Sequence, residues 1–117
     1  MHIPAGLTAI SDGAFCNGDW EELTIPGNVL TIGKQAFAAN SVLKTVYIED
    51  GVETIGSKAF QKCSALEEIH IPASVTSFGE DGSGKIVDSA DGITIYAPSG
   101  SAAEEYANSK GFNFVAE

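Results

Sequence analysis

The sequence predicts an α/β solenoid, a short array of about four stacked coils with a parallel sheet on one face and a helix-plus-strand cap at the C-terminal end. The first observation behind this prediction is a phrase that recurs every 22 to 23 residues and opens at Ile3, Ile25, Ile48 and Ile71. The second is an Ala-Phe pair that follows at the same distance in three of these units. The third is a C-terminal stretch with helix signals in place of a further unit. Self-similarity at this period is typical of a solenoid, in which each unit buries its apolar face against its neighbours.

The length of 117 residues fits a single domain, which we place at 1–117, with the repeats at about 3–92 and the cap at about 93–117. A chain of this length can bury about two-thirds of the surface that its unfolded form exposes. An apolar content of 44% with 19% charged residues is ordinary for a globular protein and argues against wholesale disorder.

A strand is predicted at the start of each coil. The segments that end at Ile25, Ile48 and Ile71 share an apolar-x-x-apolar-x-apolar pattern, whose last three positions alternate inward, outward, inward. A short half-buried strand requires this alternation. Strands at equal positions in successive coils run parallel, so we expect one ladder across the coils. The Pro, Gly, Asn and Ser residues that follow each strand favour a tight turn.

The rest of each unit predicts a bend and a filled core. Thr31-Ile32 and its copy Thr54-Ile55 predict a second short extended piece that ends at a Gly. Residues 34–37 and 57–60 then predict one helical or 3₁₀ turn on the far side of the coil. Three aromatic residues share one register and are expected to stack as a buried column: Phe15, Phe37 and Phe60.

Two small residues share another register in the later units, namely Asn40 and Cys63. We expect their side chains to hydrogen-bond the backbone of the adjacent coil. Cys16 lies two coils from Cys63, which separates the thiols by about 10 Å. A disulfide reaches only about 7 Å between Cα atoms. Both cysteines are therefore expected to be free, buried thiols.

The segment 80–92 departs from the repeated phrase, because it lacks the Ala-Phe pair and is rich in Gly, Ser and Asp. We interpret it as a surface loop of the last coil, with Ile86 and Val87 filling the space of the missing Phe. A cation site formed by Asp81, Asp88 and Asp91 is the alternative. The alternating ligand spacing of a calcium loop is absent from the segment.

The C-terminal stretch predicts the cap. Ile93-Thr94-Ile95 repeats the strand phrase 24 residues after Ile69-His70-Ile71. Residues 99–111 then predict an amphipathic helix, with Ser99 or Ser101 as N-cap and Gly111 as terminator. Residues 112–115 predict a final strand. We expect this segment to cover the last edge of the solenoid.

The net charge of −10 comes from 16 acidic and 6 basic residues. This balance argues against binding to nucleic acid, whose phosphates require Lys and Arg, and against docking on anionic lipid. Two interpretations remain: a charge that keeps the protein soluble, and a surface that takes a basic partner or loosely held cations. No apolar run approaches the roughly 18 to 20 residues that span a bilayer, so membrane insertion is not expected.

Catalytic and metal-binding motifs are absent from the sequence. It contains no Gly-x-Ser-x-Gly elbow, no Cys-x-x-Cys and no His-Glu-x-x-His. We therefore predict a non-enzymatic protein with no catalytic residue, metal or cofactor.

The outward side of the predicted strands is the candidate binding surface. His70 lies in mid-strand, with Thr24, Tyr47 and Thr94 as its expected equivalents, and a second outward column lies two residues earlier. This surface is either a solvated sheet face chosen for β-propensity or the strip that contacts a partner, with the aromatic residue as an anchor. The predicted partner-binding residues are Glu22, Thr24, Thr45, Tyr47, Glu68 and His70.

The pattern Ile25-Pro26-x-x-Val29-x-x-Ile32-Gly33-x-x-Ala36-Phe37, with its copy at 48–60, resembles the leucine-rich repeats of the BspA-like family. The likeness covers about residues 3–79 and would make the chain a single leucine-rich repeat domain. That family is abundant in bacterial cell-surface proteins. The resemblance implies a cell-surface or secreted, adhesin-like protein that contacts host or neighbouring-cell proteins. Extracellular-matrix proteins such as fibronectin and fibrinogen are the ligands associated with the family.

Two other functions remain open: an intracellular scaffold or oligomerising repeat module, and an accessory domain of a larger cell-wall enzyme. No signal peptide is visible before the first repeat, which keeps a cytoplasmic location open. The first coil also lacks a polar cover. We expect either further repeats in a longer parent chain or edge-mediated self-association.

Overall fold

The computed structural model describes residue 3, residues 6–79 and residues 85–117 of the chain. These residues wind as a β-solenoid of about four turns, which confirms the predicted solenoid. The elements are β1 (Ala9–Ile10), β2 (Glu22–Ile25), β3 (Thr31–Ile32), β4 (Thr45–Ile48), β5 (Thr54–Ile55), β6 (Glu68–His70), β7 (Ser77–Phe78), β8 (Thr94–Ala97), α1 (Ala102–Lys110) and β9 (Asn113–Ala116).

The strands form two parallel sheets. The larger sheet has five strands in the order β2-β4-β6-β8-β9, and the smaller one has four in the order β1-β3-β5-β7. The larger sheet is the predicted ladder. The smaller sheet consists of the two-residue extended pieces predicted at Thr31-Ile32 and Thr54-Ile55, together with their equivalents in the neighbouring coils. Three successive coils therefore contribute one strand to each sheet: the first carries β2 and β3, the second β4 and β5, and the third β6 and β7.

The core lies between the sheets and is built by strict alternation along each strand. In β2, Leu23 and Ile25 are buried while Glu22 and Thr24 are exposed. Leu23 pairs in register with Val46, which in turn pairs with Ile69, so equivalent apolar side chains lie above one another. Fully burying one such aliphatic side chain stabilises the fold by about 1.5–3 kcal/mol.

Close stacking of the coils explains the Gly that ends each short extended piece. A β-carbon at Gly33 would come within 2.7 Å of the Ile10 carbonyl oxygen, and one at Gly56 within 2.7 Å of the Ile32 carbonyl oxygen. Both contacts are with backbone atoms, which cannot move aside without disturbing the sheet. Only a residue without a side chain fits at this bend.

The far side of each coil differs in part from the predicted helical or 3₁₀ turn. Residues 34–39 and 57–62 form turns in which Gln35 and Lys58 have left-handed φ values of 54° and 56°. The backbone N–H of Phe37 donates to the carbonyl of Ala59 in the next coil at 2.8 Å. A helix would direct such N–H groups along its own chain. The prediction of a helical turn is therefore wrong, because alternate N–H groups bond to the neighbouring coil. The N–H groups between them make the i→i−3 bonds of a 3₁₀-type turn, as from Ala36 to the Gly33 carbonyl at 3.3 Å.

The predicted column of phenylalanines is confirmed. The rings of Phe15 and Phe37 are stacked at 5.4 Å between centroids, and those of Phe37 and Phe60 at 5.7 Å. Phe37 and Phe60 are buried, whereas Phe15 is only half-buried and meets Trp20 edge-on. The column is thus most completely enclosed at its second and third rings.

The fourth coil is closed partly by the cap. Ile86 and Val87 are buried, as predicted for the space of the missing Phe. Tyr106 of α1 adds a ring that stacks on Phe78 at 4.3 Å, and its hydroxyl oxygen accepts a hydrogen bond from the N–H of Ile86 at 3.1 Å. The cap therefore adds an aromatic ring to the core of the last coil, beside Phe78.

The cap has the predicted order of a helix followed by a strand. The Ser101 side chain accepts from the N–H of Glu104, and Gly111 ends the helix with a φ of 83°. Helix α1 packs against β8 and β9, and β9 pairs in parallel with β8. The cap extends the larger sheet by one strand at this end.

Both cysteines are free, as predicted, but only one is buried. Cys63 lies in the interior, in the same register as Asn40. Cys16 is exposed, so the expected burial is wrong for this residue. It directly follows Phe15 in a turn, at a different register from Cys63, and its side chain lies on the solvent side of the coil.

Candidate functional site

We call the solvent side of the larger sheet the outer face. The inward residues of its first strands, such as Leu23, Val46 and Ile69, are at most 1% exposed. Because side chains alternate along a strand, their neighbours lie on the opposite side. All six residues singled out from the sequence lie on this face, in two rows that run across the strands.

The register between the strands defines the two rows. We call them the carboxylate row, after its two glutamates, and the ring row, after its aromatic residues. The carboxylate row is Glu22, Thr45, Glu68, Thr94 and Asn113, and the ring row is Thr24, Tyr47, His70, Tyr96 and Val115.

The expected equivalence of Thr94 with His70 is wrong. Thr94 pairs with Glu68, and Tyr96 is the residue that pairs with His70. The spacing from His70 to its partner is 26 residues, against 23 from Tyr47 to His70. An alternating pattern looks the same after a shift of two residues, so the apolar residues around Thr94 could not reveal the longer fourth coil.

The ring row contains three stacked rings. The centroids of Tyr47 and His70 are 4.7 Å apart with an interplanar angle of 23°, and those of His70 and Tyr96 are 4.5 Å apart with an angle of 10°. The spacing matches that of neighbouring strands, about 4.8 Å. The stack therefore follows directly from the parallel register.

His70 is held between two carboxylates. Its Nε2 lies 3.2 Å from Oε1 of Glu68, and its Nδ1 lies 3.2 Å from Oε1 of Glu117. A neutral imidazole carries one N–H and can donate to one of them, whereas a protonated ring can donate to both. These contacts fix the plane of the ring and hold it in the stack.

Sequence reasoning missed Tyr96, Val115 and Glu117 as parts of this surface. The alternation within β8 and β9 is a signal that could have placed Tyr96 and Val115 on the outward side, but not in a given row. The contact of Glu117 with His70 spans 47 residues of sequence and has no local signal.

The outer face is accessible at both sides of the ring stack. Tyr47 is 40% exposed and Val115 is 45% exposed, while His70 and Tyr96 are half-buried between them. An exposed aromatic ring whose position is already fixed can contact a partner with little loss of side-chain entropy. The arrangement is suited to binding.

The shifted pKa values belong to groups away from this face. Burial raises the pKa of the Cys63 thiol to about 11, the hydrogen bond with Asn40 lowers it in part, and the charge of Asp88 adds to the rise. Burial likewise raises the pKa of the Tyr106 hydroxyl, against the lowering effect of its bond with Ile86. Both groups stay neutral at physiological pH and belong to the buried core.

The alternative cation site depends on a residue outside the described part of the chain. Asp81 lies in 80–84, while Asp88 accepts a hydrogen bond from the N–H of Lys62 at 3.0 Å. Within the described ranges, no group of three or more His, Cys, Asp or Glu side chains could hold a metal ion.

Over the described residues, no helix has the length and apolar character needed to cross a bilayer. The helix of the cap, α1, has nine residues.

Comparison with known proteins gives one match. The family model described as BspA type leucine rich repeat region matches residues 1–82, in six copies. The comparisons with curated proteins and with solved structures give no match. Leucine-rich repeat solenoids are typically non-catalytic scaffolds that mediate contacts between proteins. The matched region covers more than half of the chain, and the protein therefore belongs to the family of BspA-type leucine-rich repeats.

Proposed function

We propose that this protein is a non-enzymatic binding module of a bacterial cell-surface or secreted protein, and that it attaches to proteins of a host or of neighbouring cells through its outer face. The observation that supports this proposal best is the stacked ring row of Tyr47, His70 and Tyr96. The six residues Glu22, Thr24, Thr45, Tyr47, Glu68 and His70 belong to the proposed contact surface, together with Tyr96 and Val115.

The chemistry of the face favours protein recognition. Aromatic side chains are enriched at the centres of protein interfaces, where a few of them carry most of the binding energy. Here Tyr47 presents a large part of its ring to solvent, and the contact with His70 restricts its rotamers in advance. Carboxylates and threonines surround the rings and would form the polar rim of an interface.

The proposed location rests on the family. BspA-type repeat proteins are generally at the surface of bacteria or secreted. An excess of acidic residues, which gives a net charge of −10, is compatible with a protein that stays soluble outside the cell.

The test is binding to immobilised fibronectin and fibrinogen, measured by surface plasmon resonance with the wild-type chain and with the double variant Tyr47→Ala/His70→Ala. We expect binding of the wild type, and a loss of about tenfold or more in the variant, because the centre of the contact is removed. Leu30→Ala is the matched control, since Leu30 is 45% exposed and lies next to the smaller sheet, away from the outer face.

Thermal unfolding of each variant checks that the solenoid is intact. Binding that is equal in the wild type and the double variant, in chains that still unfold cooperatively, would remove the outer face from the proposal. Failure of the wild type to bind any of the matrix proteins would contradict the adhesin-like role.

A further inference from the structure

The charged side chains that face outward from the strands of the larger sheet are carboxylates. The chain contains six basic residues, all of them lysines, and none is an outward-facing residue of β2, β4, β6, β8 or β9. Lys44 precedes β4, and the other five lie outside the strands of this sheet. By contrast, Glu22 and Glu68 lie in the carboxylate row on one side of the rings.

Carboxylates also lie on the other side of the rings. Glu49 directly follows β4 and Glu117 directly follows β9, so both continue the outward alternation two positions beyond the ring row. Both are exposed, and the N–H of Glu117 donates to the Ala97 carbonyl, which keeps the last residue in register with β8. The ring row therefore has two glutamates along each side, at two of the five positions of each border.

These carboxylates retain capacity for a ligand. Oε1 of Glu49 accepts from the N–H of Gly27, and Oε1 of Glu68 and of Glu117 each contacts a nitrogen of His70. Within the part of the chain that the structure describes, the second oxygen of each of these carboxylates, Oε2, has no hydrogen bond and can accept one from another donor. An ionised carboxylate can accept two parallel bonds from a guanidinium group.

Tyr47 offers a further contact for a cation. His70 stacks on one face of its ring, and the opposite face lies towards Thr24 of β2, whose short side chain is itself exposed. A guanidinium group placed there would lie over the ring, with Glu22 on the diagonally adjacent position of the same strand pair. Arg is favoured over Lys at such a place because it stacks and pairs at the same time.

The length of the ring row fits an extended ligand. Glu22 lies on the first strand of the larger sheet and Glu117 follows the fifth, so four strand spacings of about 4.8 Å, or about 19 Å in total, separate them along the row. About six residues of extended chain span this length. Side chains of such a segment alternate to its two sides and reach the carboxylates on both borders of the ring row.

We infer that the partner presents an extended, arginine-bearing segment that crosses the strands along the ring row, with its cationic side chains on the glutamates that border the row. This inference rests on the proposed function, because it specifies the chemistry of the ligand of the same face. Charge complementarity between the acidic borders and a basic segment selects this occupant over an acidic or purely apolar one.

The test uses a fluorescein-labelled peptide of alternating arginine and threonine, seven residues long, and measures fluorescence anisotropy against the full chain. We expect saturable binding that weakens as sodium chloride is raised, and none to the peptide in which glutamate replaces arginine. The double variant Glu22→Gln/Glu117→Gln is expected to bind about five- to tenfold more weakly, since it removes two charged contacts without changing side-chain size.

The matched control is Glu53→Gln/Glu105→Gln, which removes the same amount of negative charge at exposed sites outside the larger sheet. We expect this control to bind within about twofold of the wild type. Equal weakening by the two double variants would mean that only net charge matters and would overturn the inference. Absence of saturable peptide binding to the wild type would overturn it as well.

The two proposals can fail separately. If Tyr47→Ala/His70→Ala abolishes binding to a matrix protein while Glu22→Gln/Glu117→Gln leaves it unchanged, the outer face is a binding surface but its ligand is not a basic segment. If the arginine peptide binds at the outer face and no matrix protein does, the inferred chemistry of the ligand is supported and the adhesin-like role is contradicted.

Discussion

Asn40 and Cys63 occupy the same position in successive coils, and each side chain donates to the carbonyl of a phenylalanine one coil back. The Asn40 Nδ2 lies 3.2 Å from the Phe15 carbonyl oxygen, and the Cys63 Sγ lies 3.3 Å from that of Phe37. Asn40 also donates to the Phe37 carbonyl of its own coil, at 2.6 Å. These bonds satisfy carbonyl groups at the corner where the coil turns back towards the larger sheet, and they confirm the role predicted for this register.

Replacement of Asn40 by Ala should destabilise the protein by about 1–3 kcal/mol, because the Phe15 carbonyl loses its side-chain donor and the Phe37 carbonyl keeps only the weaker thiol donor of Cys63. Urea unfolding followed by circular dichroism measures the change. Asn40→Cys is the informative comparison, because it introduces the thiol that the next coil has at this position. It should lower the free energy of unfolding by less than Asn40→Ala does. A midpoint for Asn40→Ala equal to that of the wild type would contradict the structural role.

The free energy of unfolding should decrease at alkaline pH because of the buried Cys63 thiol. Burial raises its pKa from 9.0 to about 11 in the folded protein, so between these values the unfolded chain loses the proton while the folded chain keeps it. The free energy of unfolding is therefore unaffected by this group below pH about 9 and decreases as pH rises towards about 11. Urea midpoints measured across this window should decline less steeply in Cys63→Ala than in the wild type.

Cys16→Ala serves as the control for the pH experiment, because it removes a thiol at an exposed site. The raised pKa of Tyr106 adds a decline of the same sign in every variant. Identical slopes in the wild type, Cys16→Ala and Cys63→Ala would refute the contribution of the buried thiol.

Substitution of a phenylalanine in the column should destabilise the protein most at the central ring. Phe37 is fully buried and stacked on both sides, so Phe37→Ala is expected to lower the free energy of unfolding by about 3–5 kcal/mol. Phe15→Ala should cost clearly less, because Phe15 is half-buried and has one stacked neighbour in the column. Guanidinium unfolding of both variants provides the comparison, and equal losses would argue against the enclosed stack.

Lys62→Gly should stabilise the protein by about 1 kcal/mol, since Lys62 is exposed and holds a left-handed φ of 59° that costs a residue with a β-carbon about 1–2 kcal/mol. Its backbone N–H bond to Asp88 is retained by glycine. Lys44→Gly is the matched control. Lys44 is exposed and is not among the residues with positive φ, so this change should destabilise the protein slightly. Thermal unfolding that shows a lower midpoint for Lys62→Gly would disprove the strain.

The amino-acid sequence by itself determined the coils and the side chains that face outward. The repeat of Ile25 at Ile48 sets the stacking of equivalent residues, and local alternation places Tyr47 and His70 on the solvent side of their strands. The alternation is encoded within a few residues and the repeat recurs at a fixed spacing along the chain, so no tertiary information is needed to recognise either of them.

The other neighbours of these residues depend on the tertiary structure. Tyr96 joins the ring row because the fourth coil is longer than the third, and the strand register settles a shift that alternation cannot detect. Gln35 and Lys58 adopt left-handed turns against their local preference, because hydrogen bonds to the next coil outweigh that preference. Glu117 reaches His70 only because the cap adds β9 to the sheet, a contact between residues that are distant in the chain.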